Sequence, residues 1–276
     1  MSLFIASLNS GSNGNCYYVS NGETSVLIDA GISCRETEKR MKRLGLSPKK
    51  IKAIFITHEH ADHIYGVGLL SKKYKIPVYI TQATQMHSNV KIEEELIRHF
   101  KANDTITIDT LSIISFTKLH DAIEPNSFVV SGSGVKVGVF TDIGSPCENL
   151  INHFSQCHAA FLESNYDEEM LENGSYPYAL KNRIRGGQGH LSNKQALAVF
   201  LNHRPTFMTH LFLSHLSRSN NTPKKVKALF DSVAGDTEII IASREKESAL
   251  YHIRALNNFG GRKIATQHKL QLELFQ

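Results

Sequence analysis

Short apolar runs separated by turn residues dominate the chain. Residues 3–8, 16–20 and 25–29 predict three strands, joined through Gly/Asn turns. Residues 35–46 predict a helix with Met41 and Leu44 on its apolar side. The apolar run 51–57 stops abruptly at histidines, 65–74 reads as a helix, and 77–80 as a strand. The second half repeats this style. Residues 105–116 read as a hairpin-like pair, 128–130 and 136–140 as strands, and 159–162 as a strand ending at Glu163. A helix over 193–202, a strand over 206–213, a helix over 223–233 and a strand over 238–241 follow. Two strand-rich halves, each with helices, predict an α/β fold of four layers: two mixed β-sheets face to face, sandwiched between helices. Residues able to do chemistry recur just past strand ends, where α/β sites usually lie.

The pattern breaks at Asn257-Asn258-Phe259-Gly260-Gly261. This divides the chain into a domain over 1–256 and a polar, basic tail over 257–276. With 276 residues, 41% apolar and 21% charged, the chain has the composition of a soluble globular protein. No apolar run approaches a membrane span, so no membrane partner is expected. The first residues lack a basic, long-apolar leader and read as a strand. Cys16, Cys34, Cys147 and Cys157 show no CxxC or zinc-ribbon spacing, which fits a reducing, cytoplasmic setting. Net charge is only +5, so the overall field does not establish a nucleic-acid partner. Eight basic residues between Arg35 and Lys52 stand against Glu36 and Glu38. They form either the solvated face of a helix or a phosphate-backbone patch.

Histidine is the unusual count, at 14. Four metal-ligand side chains fall within His58-Glu59-His60-Ala61-Asp62-His63. On an extended segment His58 and His60 share a face, and the following turn can carry Asp62 and His63 to a second ion. Imidazole with carboxylate suits Zn, Mn or Fe(II). This segment resembles the HxHxDH signature of the metallo-β-lactamase-fold hydrolases, and further blocks match in order. Asp29 in LIDAG, His120 in LHDA, Asp142 in FTDIG and His215 in LSHLS all fall at family positions. The resemblance implies one metal on His58, His60 and His120 and a second on Asp62, His63 and His215, bridged by Asp142. It also implies a metal-bridging hydroxide as nucleophile, oriented by Asp62, with Asp29 bracing the histidine-bearing loop.

The bond to be cut is narrower than the fold. Asp142, where antibiotic-cleaving members often carry Cys, resembles the phosphodiesterase and thioesterase branches. His190 in GHLSN is similar to a histidine that assists the leaving oxygen in phosphodiesterases, where an alkoxide needs a proton. Arg183 and Arg185 upstream are either phosphate clamps or exposed loop charges. The turn containing Ser10, Ser12 and Asn15 can offer N–H groups to an anion, or is simply a hairpin turn. Ser192, Asn193, Ser217 and Asn220 join these as candidate substrate contacts. Together with Glu163 in ESNYD, which either touches the site or ends a strand, these blocks resemble the YycJ/WalJ-like group. That resemblance implies a 5′→3′ DNA exonuclease in repair or replication.

No insertion resembles a tRNA-holding arm, and there is no room for an added cap domain. Both points weigh against RNA. The alternatives are an RNA phosphodiesterase, a small-ester or thioester hydrolase, and, from another class, a non-catalytic clamp-binding adaptor. The tail residues Gln271, Leu272, Leu274 and Phe275 resemble the pentapeptide that docks on the bacterial sliding clamp. The same residues also suit a last amphipathic strand.

Overall fold

A computed structural model describes residues 2–255. The segment containing Gln271, Leu272, Leu274 and Phe275 lies outside the described residues. The first half builds β1 (Ser2–Asn9), β2 (Cys16–Ser20), β3 (Ser25–Ile28), β4 (Ile51–Phe55), β5 (Val78–Ile80) and β6 (Ile97–His99). The second builds β7 (Thr105–Ile108), β8 (Leu111–Thr117), β9 (Asn126–Gly132), β10 (Val135–Phe140), β11 (Ala159–Glu163), β12 (His210–Ser214) and β13 (Glu238–Ile241). A last strand, β14 (Tyr251–Arg254), returns to pair with β1.

The strands form two sheets, ordered β14-β1-β2-β3-β4-β5-β6 and β13-β12-β11-β10-β9-β8-β7. Each sheet has an antiparallel portion and a parallel one: β3 to β6 in the first, β10 to β13 in the second. Parallel neighbours need long crossovers, and most of these carry helices. They are α1 (Cys34–Arg43), α2 (Ala61–Ile64), α3 (Val67–Tyr74), α4 (Gln82–His87), α5 (Glu148–Phe154), α6 (Glu168–Asn173), α7 (Tyr178–Arg185), α8 (Asn193–His203) and α9 (Pro223–Asp231).

Side-chain alternation sorts the layers. Leu3, Ile5, Val19, Val137, Val139, Phe161 and Phe212 meet between the sheets. On one outer face Ala6, Leu8, Leu27 and Ile54 pack with Met41, Val67 and Leu70 of α1 and α3. On the other, Phe140, Leu162 and Leu213 pack with Phe154, Phe200 and Phe230 of α5, α8 and α9. Each large side chain so buried contributes about 1.5–3 kcal/mol. The order is therefore helix, sheet, sheet, helix, as the pattern predicts. Gly138 is part of this packing: a Cβ there would lie 2.1 Å from the Phe140 ring.

Two boundaries differ from expectation. The helix expected over 65–74 begins at Val67, after Gly66, where a Cβ would lie 2.0 Å from the Ile32 carbonyl oxygen. A separate short helix that was not expected, α2, precedes it inside the histidine motif. The strand expected from 206 begins at His210, because a turn with Met208 N–H donating to Pro205 O (3.0 Å) precedes it. Several elements escape the pattern altogether. β6 and β14 are short and carry charged, exposed residues, while α4 to α7 are each eight residues or fewer.

The basic run near α1 is thinner than its sequence suggests. Arg40 is buried and donates to Leu8 O (2.8 Å), Asn9 Oδ1 (2.6 Å) and Glu245 O (2.9 Å). Arg43 is forked onto Glu247.

Candidate metal centre

The chemistry-bearing residues gather where both sheets end. Asp29 follows β3, His58 to His63 follow β4, and His120 follows β8. Asp142 follows β10, Glu163 ends β11, and His215 follows β12. Three of these turns use left-handed backbone at non-glycine residues: Asp29 (φ 59°), Asp142 (φ 54°) and His215 (φ 56°). Such residues cost roughly 1–3 kcal/mol each and persist where surrounding contacts hold them.

The histidine loop is clamped from below. Ala30 N–H donates to His63 O (3.0 Å) and Asn15 N–H to Asp62 O (2.7 Å). Gly31 makes the approach possible, since a Cβ on it would lie 1.6 Å from Asp62 O. Asp29, fully buried, accepts from Thr57 N (2.9 Å) and Thr57 Oγ1 (2.8 Å) and contacts His63 Nδ1 at 2.7 Å. His63 therefore has Nε2 left for the centre. His120 is fixed likewise, with Nδ1 at 3.0 Å from Gly189 O.

Four overlapping groups bring possible donor atoms within 4.8 Å of one another: His58/His60/His120, Asp62/His63/His215, His58/His63/Asp142 and Asp142/Glu163/His190/His215. Asp142 lies between the two histidine triads. Its Oδ2 is 3.1 Å from His63 Nε2, and its Oδ1 is 3.5 Å from His215 Nδ1 and 3.8 Å from His120 Nε2. Asp62 Oδ2 is 3.6 Å from both His63 Nε2 and His215 Nε2.

The donor set fits cations. His120 Nε2, His215 Nε2 and Asp142 Oδ2 are buried without a hydrogen-bond partner, an arrangement that costs stability unless something else binds them. Protonation follows the concentrated negative charge. Burial pushes the His63 imidazole down, but Asp142, Asp29 and Asp62 outweigh it and raise it to about 10. Burial also opposes charge on His215, yet Asp142, Asp62 and Glu163 hold it well above its ordinary value. Burial works against the Asp142 carboxylate, but His215 and His63 keep it well below the usual range. His58 and His120 go the other way, chiefly through burial, with His120 pushed down to about 4. Neutral imidazoles beside carboxylates that demand positive charge are what a dication would satisfy.

Glu163 is the hub of the second sheet's contribution. It is fully buried, and its Oε1 lies 2.8 Å from His190 Nδ1 and 2.9 Å from His215 Nδ1. Its Oε2 accepts from Ile143 N (2.7 Å) and Leu191 N (3.1 Å). Burial raises this carboxyl, but His190 and His215 overcome that and bring it to about 2. His190 stacks near both halves, 5.4 Å from the His120 ring and 5.2 Å from the His215 ring.

The expected substrate contacts divide. Ser10 is buried, beside the Tyr17 hydroxyl (2.7 Å) and accepting from His215 N (2.8 Å). Asn15 is buried and places Nδ2 3.1 Å from both Asp62 Oδ2 and His63 Nε2. Both residues thus brace the donors instead of facing a substrate. Ser192 caps α8 in a capping box, and Asn193 is locked to Ser164 and Asn221. Asn220 is buried, with Ser217 accepting from its N–H (3.2 Å). Burial takes Ser192, Asn193 and Asn220 away from an incoming ligand. Ser12 is exposed, with Arg244 donating to it at 3.3 Å. Arg183 is exposed at the rim, 2.5 Å from Asp121, itself 3.4 Å from His120 Nε2. Arg185 instead pairs with Glu172 at 2.7 Å.

Two contributors were not among the expected site residues, although Asn165 lies in the ESNYD block. Lys118 is buried and donates to Thr141 O (2.7 Å), with burial pushing its ammonium down. Asn165 donates to His215 O (2.7 Å), supporting that turn.

Comparison with known proteins agrees with this geometry. The family model "Metallo-beta-lactamase superfamily" matches residues 10–148. Exodeoxyribonuclease YycJ of Bacillus anthracis is 34% identical over 226 residues, covering 80% of this chain and 85% of that protein. The chain belongs to the metallo-β-lactamase superfamily. Exodeoxyribonuclease WalJ of Streptococcus pneumoniae serotype 2 is 32% identical, covering 78% of this chain and 81% of that one. These matches put it in the YycJ/WalJ-like group of the superfamily. The crystal structure of the metallo-β-lactamase fold protein YhfI from Bacillus subtilis superposes with a TM-score of 0.71 at 16% identity, over 91% of this chain and 99% of that one. As a metallo-β-lactamase-fold protein with this donor cluster, the chain is a metal-dependent hydrolase. Among the described residues no helix is long and apolar enough to cross a membrane.

Proposed function

We propose that this metallohydrolase is a phosphodiesterase acting on DNA, a 5′→3′ exonuclease of repair or replication. The reading is supported by the exodeoxyribonuclease relatives and, above all, by the Glu163–His190 pair (2.8 Å) set beside Asp142. One ion would sit on His58, His60 and His120, and the other on Asp62, His63 and His215, with Asp142 shared between them. Zn, Mn and Fe all suit these donors. Bound there, two divalent ions would supply a nucleophile at neutral pH and offset phosphate charge.

The remaining work falls to side chains. Asp62 orients the attacking water. Glu163 holds His190 through Nδ1, leaving Nε2 to deliver a proton to the departing sugar oxygen. Asp29, Asn15, Ser10 and Asn165 keep the donors in register. Arg183, exposed and paired with Asp121 through Nε alone, is placed to exchange that carboxylate for a phosphate. The four free cysteines suit a cytoplasmic location.

The test is release of nucleotides from end-labelled duplex DNA and from RNA, with Mn or Zn added, against His60→Ala. Metal-dependent loss of 5′ label from DNA, absent in the variant, supports the reading. Digestion of RNA alone moves the substrate to RNA. No digestion of either polymer overturns the nuclease reading in favour of a small-ester hydrolase.

A further inference from the structure

A cavity lies next to the metal loop rather than in it. A groove of about 530 Å³ is lined by Glu59, Ala61, Tyr65, Leu69, Lys72 and Lys91, with His87 at its edge. It starts inside the histidine motif, because Glu59 and Ala61 flank His60. From there it runs between α3 and the segment after α4. Gly68 sets its width, since a Cβ there would lie 2.4 Å from Lys91 O.

The lining is unusual for a surface. Tyr65 is 72% exposed and Leu69 69%, both directed outward from helices whose other faces fill the core. Leu119 and Ile123, beside His120 and Glu59, are also exposed, and Glu59 is tied to this side by accepting from Ile123 N (2.9 Å). Cations border the apolar strip. Lys91 has no carboxylate within 4.0 Å among the described residues, and Lys72 reaches Glu93 only at 3.8 Å, while Glu93 is held by Lys75 at 2.6 Å. His87 uses Nδ1 on Ala83 O (2.9 Å), leaving Nε2.

We infer that this groove takes an unpaired stretch of the nucleic-acid strand leading to the metal centre, with a base stacked on Tyr65 and phosphates on Lys72 and Lys91. The inference rests on the nuclease reading and adds the form of the substrate. An exposed aromatic ring flanked by lysines matches how single strands are held, bases on rings and backbone along cations. In an intact duplex the base faces are already stacked on one another and unavailable to Tyr65. The groove therefore favours frayed or single-stranded ends over blunt ones. Its walls include Glu59 and Ala61, the chain neighbours of His60, so a strand lying here can continue to the centre.

The test is fluorescence anisotropy of a labelled single-stranded 12-mer and of its blunt duplex, using the full chain with His60→Ala so that nothing is cut. Adding Tyr65→Ala weakens single-strand binding roughly 5- to 150-fold, the range of one base–aromatic stack. Tyr65→Phe keeps the affinity within about twofold, because the ring remains. Lys72→Ala with Lys91→Ala lowers the slope of log affinity against log salt by about 0.7 per lysine. Unchanged single-strand affinity in Tyr65→Ala, with the parent still digesting DNA, overturns the groove and leaves the nuclease reading standing. Equal losses on single strand and duplex overturn the single-strand assignment. A parent that neither binds nor digests nucleic acid overturns both readings.

Discussion

Glu163 Oε1 lies 2.8 Å from His190 Nδ1, and both side chains come from the second sheet's side of the centre. The same oxygen contacts His215 Nδ1 at 2.9 Å, so one buried carboxylate aligns a candidate proton donor with a candidate metal ligand. Removing its charge should disturb both. Glu163→Gln is expected to lower metal affinity or activity about 10- to 100-fold while the fold is kept. Metal content and rate, measured beside circular dichroism, check this; full activity at full metal content would refute it.

His190→Ala separates proton delivery from positioning. A sugar alkoxide needs a proton to leave, whereas nitrophenolate does not. The variant should lose about 10²- to 10⁴-fold on DNA and far less on bis(p-nitrophenyl) phosphate. Equal losses on both substrates would assign His190 to metal or substrate positioning.

Asp29 satisfies the Thr57 N–H and hydroxyl and anchors His63. In Asp29→Ala these buried groups lose their partner. Each such group costs roughly 1–3 kcal/mol, and the His63 ring is freed to turn. Urea denaturation should show the loss, and metal titration should show weaker binding at one of the two sites.

Gly31→Ala places a Cβ in contact with the Asp62 carbonyl, 1.6 Å in the present backbone. The histidine loop must move away from Asn15 and Ala30. Overpacking of this kind costs roughly 1–3 kcal/mol or more. The expected result is a lowered Tm together with loss of bound metal.

Metal itself should stabilise the fold. With free ion at a hundred times its Kd, binding to the folded chain adds about 2.7 kcal/mol. Chelation should therefore lower Tm, and Zn, Mn or Fe(II) should restore it, their order ranking the affinities. His60→Ala should blunt the recovery.

The candidate metal ligands of the first motif were legible because four donors fall within six residues, a density that needs no tertiary knowledge. Family resemblance pointed to Asp29, His120, Asp142, His190 and His215 by their blocks, and the succession of strand and helix patterns in both halves foretold two sheets with helices outside. The direction a side chain takes was not legible. The turn of Ser10 and Asn15 read as either an anion-binding turn or a plain hairpin turn, and neither reading foresaw their partners Asp62, His63 and His215, which lie 47, 48 and 205 positions away. Lys118 drew no reading from the sequence, yet it is buried and donates to Thr141 O just past β10. Glu163 became a hub only when β11 and β12 paired in parallel and brought residue 215 beside it. Local pattern reports which residues can bind, cap or bury themselves. Which of them face the centre depends on strand register and on the approaches allowed by Gly31 and Gly66, and both are set by the packed chain as a whole.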